Sequence, residues 1–304
     1  MYKWAFLLII GGAALWGTIG IFVQRLYDLG FTPIEVVAIR VISALLVLTL
    51  IVLFKNPSLV KIRPRHLPLF FGTGILSIVF FNWAYFTTIQ EINLSVAAVL
   101  LYTGPAFVTI MSRIFFKEAL TPEKVTALFM TLAGCMLVIG VFPLNAGQLS
   151  AFGIITGVAS GFGYALYSIF GKPASVHYSS LSITFYTFLF ASAAMLPFSG
   201  IVHSAGALMS PEGILLAAGL GTLPTVFAYL LYTAGLFHVE SSRASIAATV
   251  EPVVAALIGL IIFAERLTPW QLAGMGLVLL AVLVIQKRRK PAHKEKETIQ
   301  SPQV

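Results

Sequence analysis

Ionisable side chains are scarce in this 304-residue sequence, and two of them fall inside long apolar runs. Glu251 directly precedes Pro252, about nine residues or roughly 14 Å into the run 242–264. Arg40 lies about seven residues, or roughly 10 Å, into the run 33–54. A charge at membrane depth costs from about 2.5 to above 10 kcal/mol, so each needs a reason to be there. The Glu251 carboxyl fits a proton site, a counter-ion for a cationic solute, or a structural partner for Arg40 or for backbone released by Pro252. The Arg40 guanidinium fits a forked grip on a carboxylate or phosphate, an ion pair with Glu251, or a side chain that snorkels to the surface.

Other candidates surround this pair. Pro105 and Pro252 each remove a backbone hydrogen bond and disfavour helical geometry just before them, so each marks either a ligand-holding break or a packing kink. Trp16, Trp83, Tyr85, Tyr102, Tyr164, Tyr167, Tyr229 and Tyr232 combine an apolar body with a polar tip and suit a polar-organic pocket or ordinary core packing. Asn82 carries an amide that needs partners wherever it is buried. Catalysis has little to work with. There is one Asp, Asp28, there is no H-E-x-x-H, G-x-S-x-G or G-x-x-x-x-G-K-[ST] pattern, and the five His are scattered at run edges. We therefore expect no catalytic residues, no metal site, no cofactor and no nucleotide-driven pump. A channel would show a polar ring, and none is evident.

The elements that position these residues follow from composition. Apolar types make up 59% of the chain and DEKR 10%, against roughly 45–50% and about 25% in soluble domains. Apolar stretches fall near 4–24, 33–54, 67–88, 94–116, 123–142, 150–170, 181–199, 213–236, 242–264 and 269–286. The first is too long for a signal-peptide core and reads as a span. Hydrocarbon offers no partner for free backbone groups, so the expected fold is all-α and integral to the membrane, with ten transmembrane helices and the lipid bilayer as its surroundings. The net charge of +8 is then no sign of nucleic acid. With the N-terminus inside, sixteen of nineteen Lys and Arg reach cytoplasmic loops, helix ends or tails and only Arg25 and Arg266 face out, as positive-inside charge requires. Both termini are expected in the cytoplasm of a cell (inner or plasma) membrane. Residues 288–304 read as a disordered basic tail.

The chain also repeats itself at an offset of 147 residues, without a gap, from about Gly72–Pro122 to Gly219–Pro269. Phe116-Lys-Glu118-Ala-Leu-Thr-Pro122 returns as Phe263-Ala-Glu265-Arg-Leu-Thr-Pro269, and Pro105 falls on Pro252, Ser95 on Ser242 and Tyr85 on Tyr232. Five helices per unit is an odd number, so the halves 1–145 and 146–287 should enter the membrane from opposite sides as inverted repeats. Two inverted halves have two near-equivalent packings, one open to each side, which is the requirement for alternating access.

The two five-helix halves, Trp16-Gly17 with Phe162-Gly163, the Pro105 and Pro252 helices, and the paired Phe-x-Glu-x-Leu-Thr-Pro turns resemble the EamA-type permeases of the drug/metabolite transporter superfamily, over nearly the whole chain. The resemblance implies secondary transport of a small-molecule substrate such as an amino acid, sugar or amine, frequently export, through a cavity between the halves. It fixes no particular cargo. Gly153, Gly157 and Gly161 form a small-residue stripe that allows close helix approach within a monomer or between two copies of a homodimer.

Overall fold

The computed structural model describes residues 2–55, 57–140 and 150–286; the basic tail expected over 288–304 lies outside them. Among the described residues there is no strand, and ten helices are long and apolar enough to cross a membrane. They are α1 (Tyr2–Asp28), α2 (Pro33–Lys55), α3 (Pro64–Glu91), α4 (Leu94–Phe115), α5 (Pro122–Ile139), α6 (Ala151–Ala174), α7 (Ser180–Phe198), α8 (Pro211–Leu236), α9 (Ser241–Ile262) and α10 (Pro269–Gln286). Seven of them start at a side chain that accepts a hydrogen bond from the first turn: Thr32, Asn93, Thr121, Ser150, Ser179, Ser210 and Thr268. Such caps satisfy an otherwise free N–H, and the capped starts lie within two residues of where apolarity alone puts them.

Contacts between connections sort the helix ends into two groups. At one end the Arg63 N–H donates to the Tyr178 hydroxyl at 3.0 Å, Ser182 Oγ to the Leu59 carbonyl at 2.6 Å, and Lys172 Nζ to the carbonyls of Leu236 and Val239. At the other, Ser150 Oγ donates to Glu91 at 2.9 Å and Gln271 Nε2 to the Val138 carbonyl at 3.1 Å. The first group, rich in Lys and Arg, is called here the basic end and the second the far end.

Three of the helix irregularities sit where a proline withholds a backbone bond. A proline cannot donate to the carbonyl four residues earlier and crowds it, so Pro105 disturbs Leu101 and Pro252 disturbs Ala248. Accordingly α4 is interrupted between Leu101 and Gly104, and α9 between Ala247 and Val250. Thr103 and Thr249 occupy the gaps, each donating its hydroxyl at 2.6 Å to a carbonyl three residues back, Leu100 and Ile246. Wider π-helical turns occur in α3 over Gly72–Val79 and in α8 over Thr222–Phe227. In α8, Pro224 frees the Leu220 carbonyl, and the Thr225 hydroxyl takes it up at 2.7 Å.

The pairs of features recur at the 147-residue offset seen in the sequence. So do the two turns: Lys117 and Ala264, the only non-glycine residues of positive φ among the described residues, stand at +56° and +54°. Such a conformation costs about 1–3 kcal/mol and persists where surrounding structure enforces it. One turn lies at the basic end and the other at the far end.

Helix packing relies on small residues, as it must where lipid competes equally for apolar side chains. The Gly153, Gly157 and Gly161 stripe of α6 faces the chain's own Ile92, Leu100 and Thr103. Between α5 and α10, Gly134 and Gly274 press backbone to backbone, and a Cβ at Gly274 would come within 2.7 Å of the Gly134 carbonyl. Backbone on both sides leaves little room to yield. Gly274→Val is therefore expected to destabilise by about 1–3 kcal/mol, read as a lower unfolding temperature of the purified protein, whereas Gly276→Ala, with open space at its Cβ, should leave it unchanged.

Candidate functional site

A cavity of about 400 Å³ opens among α1, α2, α3, α4, α6, α8 and α9, a size suited to a small organic solute. Gln24, Tyr27, Ile89 and Leu94, all near the far end, line its mouth. Deeper in, both membrane-depth charges reach it: Arg40 from α2 and Glu251 from α9, just past the break that Pro252 induces. The two charges do not form an ion pair with each other. Arg40 Nε instead donates at 3.0 Å to the Thr225 hydroxyl, and its guanidinium carbon stands 6.0 Å from the centre of the Tyr229 ring. Because Thr225 gives its proton to the Leu220 carbonyl, its oxygen is oriented to accept from Arg40. Pro224 thus fixes an arginine on another helix through one hydroxyl.

Of the remaining candidates, Trp16, Asn82, Tyr85, Tyr102 and Tyr164 also line the cavity. Asn82 is buried, with its amide nitrogen held by the Ile78 carbonyl at 2.7 Å. The Trp16 indole N–H is buried with no hydrogen-bond partner, an open donor at the cavity floor. Pro105 acts at one remove, by shaping α4 beside Tyr102. Tyr232 is placed differently from the pocket position its residue type allowed. It lies in the floor beneath Trp16, ring centres 5.1 Å apart, with its hydroxyl bound to Ser168 at 2.7 Å. Trp83 points away altogether and is exposed on the outer surface of the bundle.

Below the floor, the basic end is closed. Tyr167 and Phe188 each pack against the Tyr229 ring of the cavity wall, ring centres about 5 Å apart, and Tyr167 bonds Thr233 at 2.6 Å. Beyond them the carboxylate of Glu118 accepts from the Ser241 N–H at 2.7 Å, from the Ser242 N–H at 3.2 Å and from the Ser242 hydroxyl. Buried Lys124 reaches Glu118 at 3.4 Å and Glu240 at 3.1 Å, and Glu240 also holds Arg243 at 2.7 Å. The cavity is thus open toward the far end and tied shut at the basic end.

Comparison with known proteins identifies the family. The model of the EamA-like transporter family matches residues 3–140 and again 151–286. The chain belongs to the EamA-like transporter family. A transporter of Archaeoglobus fulgidus, itself uncharacterized, is 32% identical over 264 residues, covering 80% of this chain and 93% of that protein. The threonine/homoserine exporter RhtA of Escherichia coli K12 is 28% identical over 290 residues, covering 92% and 89%. A crystal structure aligns with a TM-score of 0.74 at 18% identity over 92% of this chain and 95% of that one, which shows the shared fold. This EamA-like chain is therefore a multi-pass membrane transporter.

Two residues of the site carried no signal in the sequence: Thr225, a threonine in an apolar run, and Glu240, whose neighbour Arg243 is local but whose other partner, Lys124, lies far away in the chain. Both can be tested. Thr225→Val leaves Arg40 and the Leu220 carbonyl without a partner and should lower stability by about 1–3 kcal/mol, while Thr225→Ser should retain it; thermal unfolding distinguishes them. For Glu240, burial raises the carboxyl but Lys124 and Arg243 outweigh it and hold it below its usual 4.5. A depressed folded value means that its contribution is complete above the unfolded value and is lost as pH falls through the folded one. Glu240→Gln should thus lower the unfolding temperature at about pH 7 and lose that effect below about pH 4.

Proposed function

We propose that the protein is a secondary transporter that exports a small zwitterionic metabolite, an amino acid being the fitting class, by alternating access. One observation carries this reading: Arg40 and Glu251 face the same cavity without neutralising each other. In a low-dielectric cavity an unpaired charge is expensive, and a solute bearing one carboxylate and one ammonium offsets both. The carboxylate takes the fork of Arg40 and the ammonium takes Glu251, while Trp16 and Asn82 supply neutral polar contacts. An amine or a simple acid leaves one protein charge uncompensated, at about 3–5 kcal/mol, or more than about a hundredfold in affinity. The name of the Escherichia coli relative RhtA, an exporter of two amino acids, supports the same class.

The orientation belongs to this proposal. Lys and Arg gather at the basic end, so positive-inside charge puts that end and both termini in the cytoplasm of the cell membrane and directs the open cavity outward. The halves then act as inverted copies. The short far-end connections between α1 and α2 and between α3 and α4 offer no capture surface, which favours export. Glu251, the only carboxylate lining the cavity among the described residues, is the proposed coupling site, exchanging a proton for the cargo ammonium.

Counterflow in liposomes tests the reading. Labelled neutral amino acids should accumulate, and unlabelled amino acids should compete at least about a hundredfold better than the matching amines or carboxylic acids. Equal competition by the amines would sink the zwitterion. Arg40→Gln should relax the need for a carboxylate and Glu251→Gln the need for an ammonium. Glu251→Gln should also abolish stimulation by a proton gradient; a response unchanged from wild type would remove proton coupling and leave exchange.

A further inference from the structure

We propose that Glu118 and Glu265 are alternating latches, positioning residues that tie off opposite ends of the same cavity in the two halves of the transport cycle. The proposal rests on alternating access but on no particular cargo.

The two turns that carry them are built alike. In each, a residue of positive φ, Lys117 or Ala264, precedes the glutamate. The Glu118 N–H then returns to the Ser112 carbonyl at 3.2 Å, and the Glu265 N–H to the Gly259 carbonyl at 3.0 Å; Ser112 and Gly259 are themselves 147 residues apart. The backbone therefore presents both carboxylates in the same way. Only one is engaged. Glu118 holds the Ser241 and Ser242 N–H groups and the Ser242 hydroxyl at the closed basic end. The offset maps Ser241 and Ser242 onto Leu94 and Ser95, at the start of α4. At the far end Glu265 is exposed, its carboxylate lying over Gly259, where a Cβ would stand 2.3 Å from Oε2. Leu94, its counterpart contact, is 61% exposed at the open mouth of the cavity. Open and closed ends thus coincide with the free and the engaged glutamate.

When the cavity opens to the basic end, Glu118 gives up Ser242, and Glu265 takes the Ser95 hydroxyl and the adjoining backbone N–H groups. The two latches differ in strength. Lys124, Glu240 and Arg243, which brace Glu118 with ion pairs, map onto Gln271, Asn93 and Val96, none of them charged. The basic-end latch is the stronger, and the conformer seen here is the resting one.

The test is cysteine accessibility in detergent, without cargo, on a Cys135→Ala background. Ser245→Cys reports opening of the basic end: Ser245 is buried and maps onto Ala98, which lines the cavity now open. Val23→Cys, inside the cavity now open, reports the far end and should lose reactivity in Glu118→Gln as that end closes, while a cooperative thermal unfolding transition serves as the fold control for every variant. Glu118→Gln should raise maleimide reactivity at Ser245→Cys about tenfold or more, and Glu265→Gln should lower it by a similar factor, each reflecting the loss of charge-assisted hydrogen bonds in one conformer. Ser95→Ala should mimic Glu265→Gln, and the two together should do no more than either alone. A purely structural Glu265 would not move a reporter at the opposite end, so unchanged or increased reactivity in Glu265→Gln overturns the proposal even if Glu118→Gln fails to fold. Ser245→Cys unreactive in every variant, Glu118→Gln included, overturns alternation itself. An error in cargo class would leave all these rates as expected.

Discussion

Hydrocarbon cannot hydrogen-bond, and the whole molecule is arranged around that fact. Every backbone group within the membrane must find a partner inside the protein, which makes uninterrupted helix the default and each departure from it something to be compensated. The departures here are few, and most have a visible cause or remedy. Pro105, Pro224 and Pro252 withhold bonds, and the Thr225 hydroxyl answers for the carbonyl freed by Pro224. Threonines at the α4 and α9 breaks take nearby carbonyls in the same way. The α4 and α9 breaks fall beside the cavity, where irregular backbone is shielded from lipid.

The same economy governs charge. Arg40 is held by one hydroxyl and an aromatic face rather than by a carboxylate, so its full charge is available to the cavity. At the basic end the opposite choice is made: Lys124, Glu240, Arg243 and Glu118 satisfy one another in a closed network. The cavity charges are left without an ion pair, and the charges at the closed end neutralise one another. This division separates the working cavity from its closure without any change of fold.

Much of this was legible in the sequence, for a physical reason. Span number, the repeat, the Pro-induced breaks and the membrane depth of Arg40 and Glu251 all follow from local composition and periodicity, which the bilayer enforces strictly. Span starts set by a polar cap, such as Ser150 or Asn93, fell within a residue of expectation, while uncapped ends such as the start of α3 at Pro64 ran further. Residue direction was harder. Asn82 and Trp83 are neighbours on a helix and cannot share a face, and the structure turns the amide in and the indole out. Tyr229 and Tyr232 do share a face, and only depth separates the cavity wall from its floor. The Glu118 contacts with Ser241 and Ser242 join residues 123 and 124 positions apart, a proximity that no local pattern encodes.

The lone indole at the cavity floor gives the molecule an optical property. Trp4, Trp83 and Trp270 are exposed on the outer surface, at 72%, 56% and 71%, while Trp16 is buried, its N–H unpartnered and its ring against Tyr164, Tyr229 and Tyr232. With the three surface tryptophans replaced by phenylalanine, the remaining emission comes from the floor alone, fed by energy transfer from the surrounding phenols. An indole in a dry site emits toward the blue and shifts red when its N–H gains an acceptor. Arrival of a solute could therefore be followed by intrinsic fluorescence, in real time, with no label attached to protein or cargo.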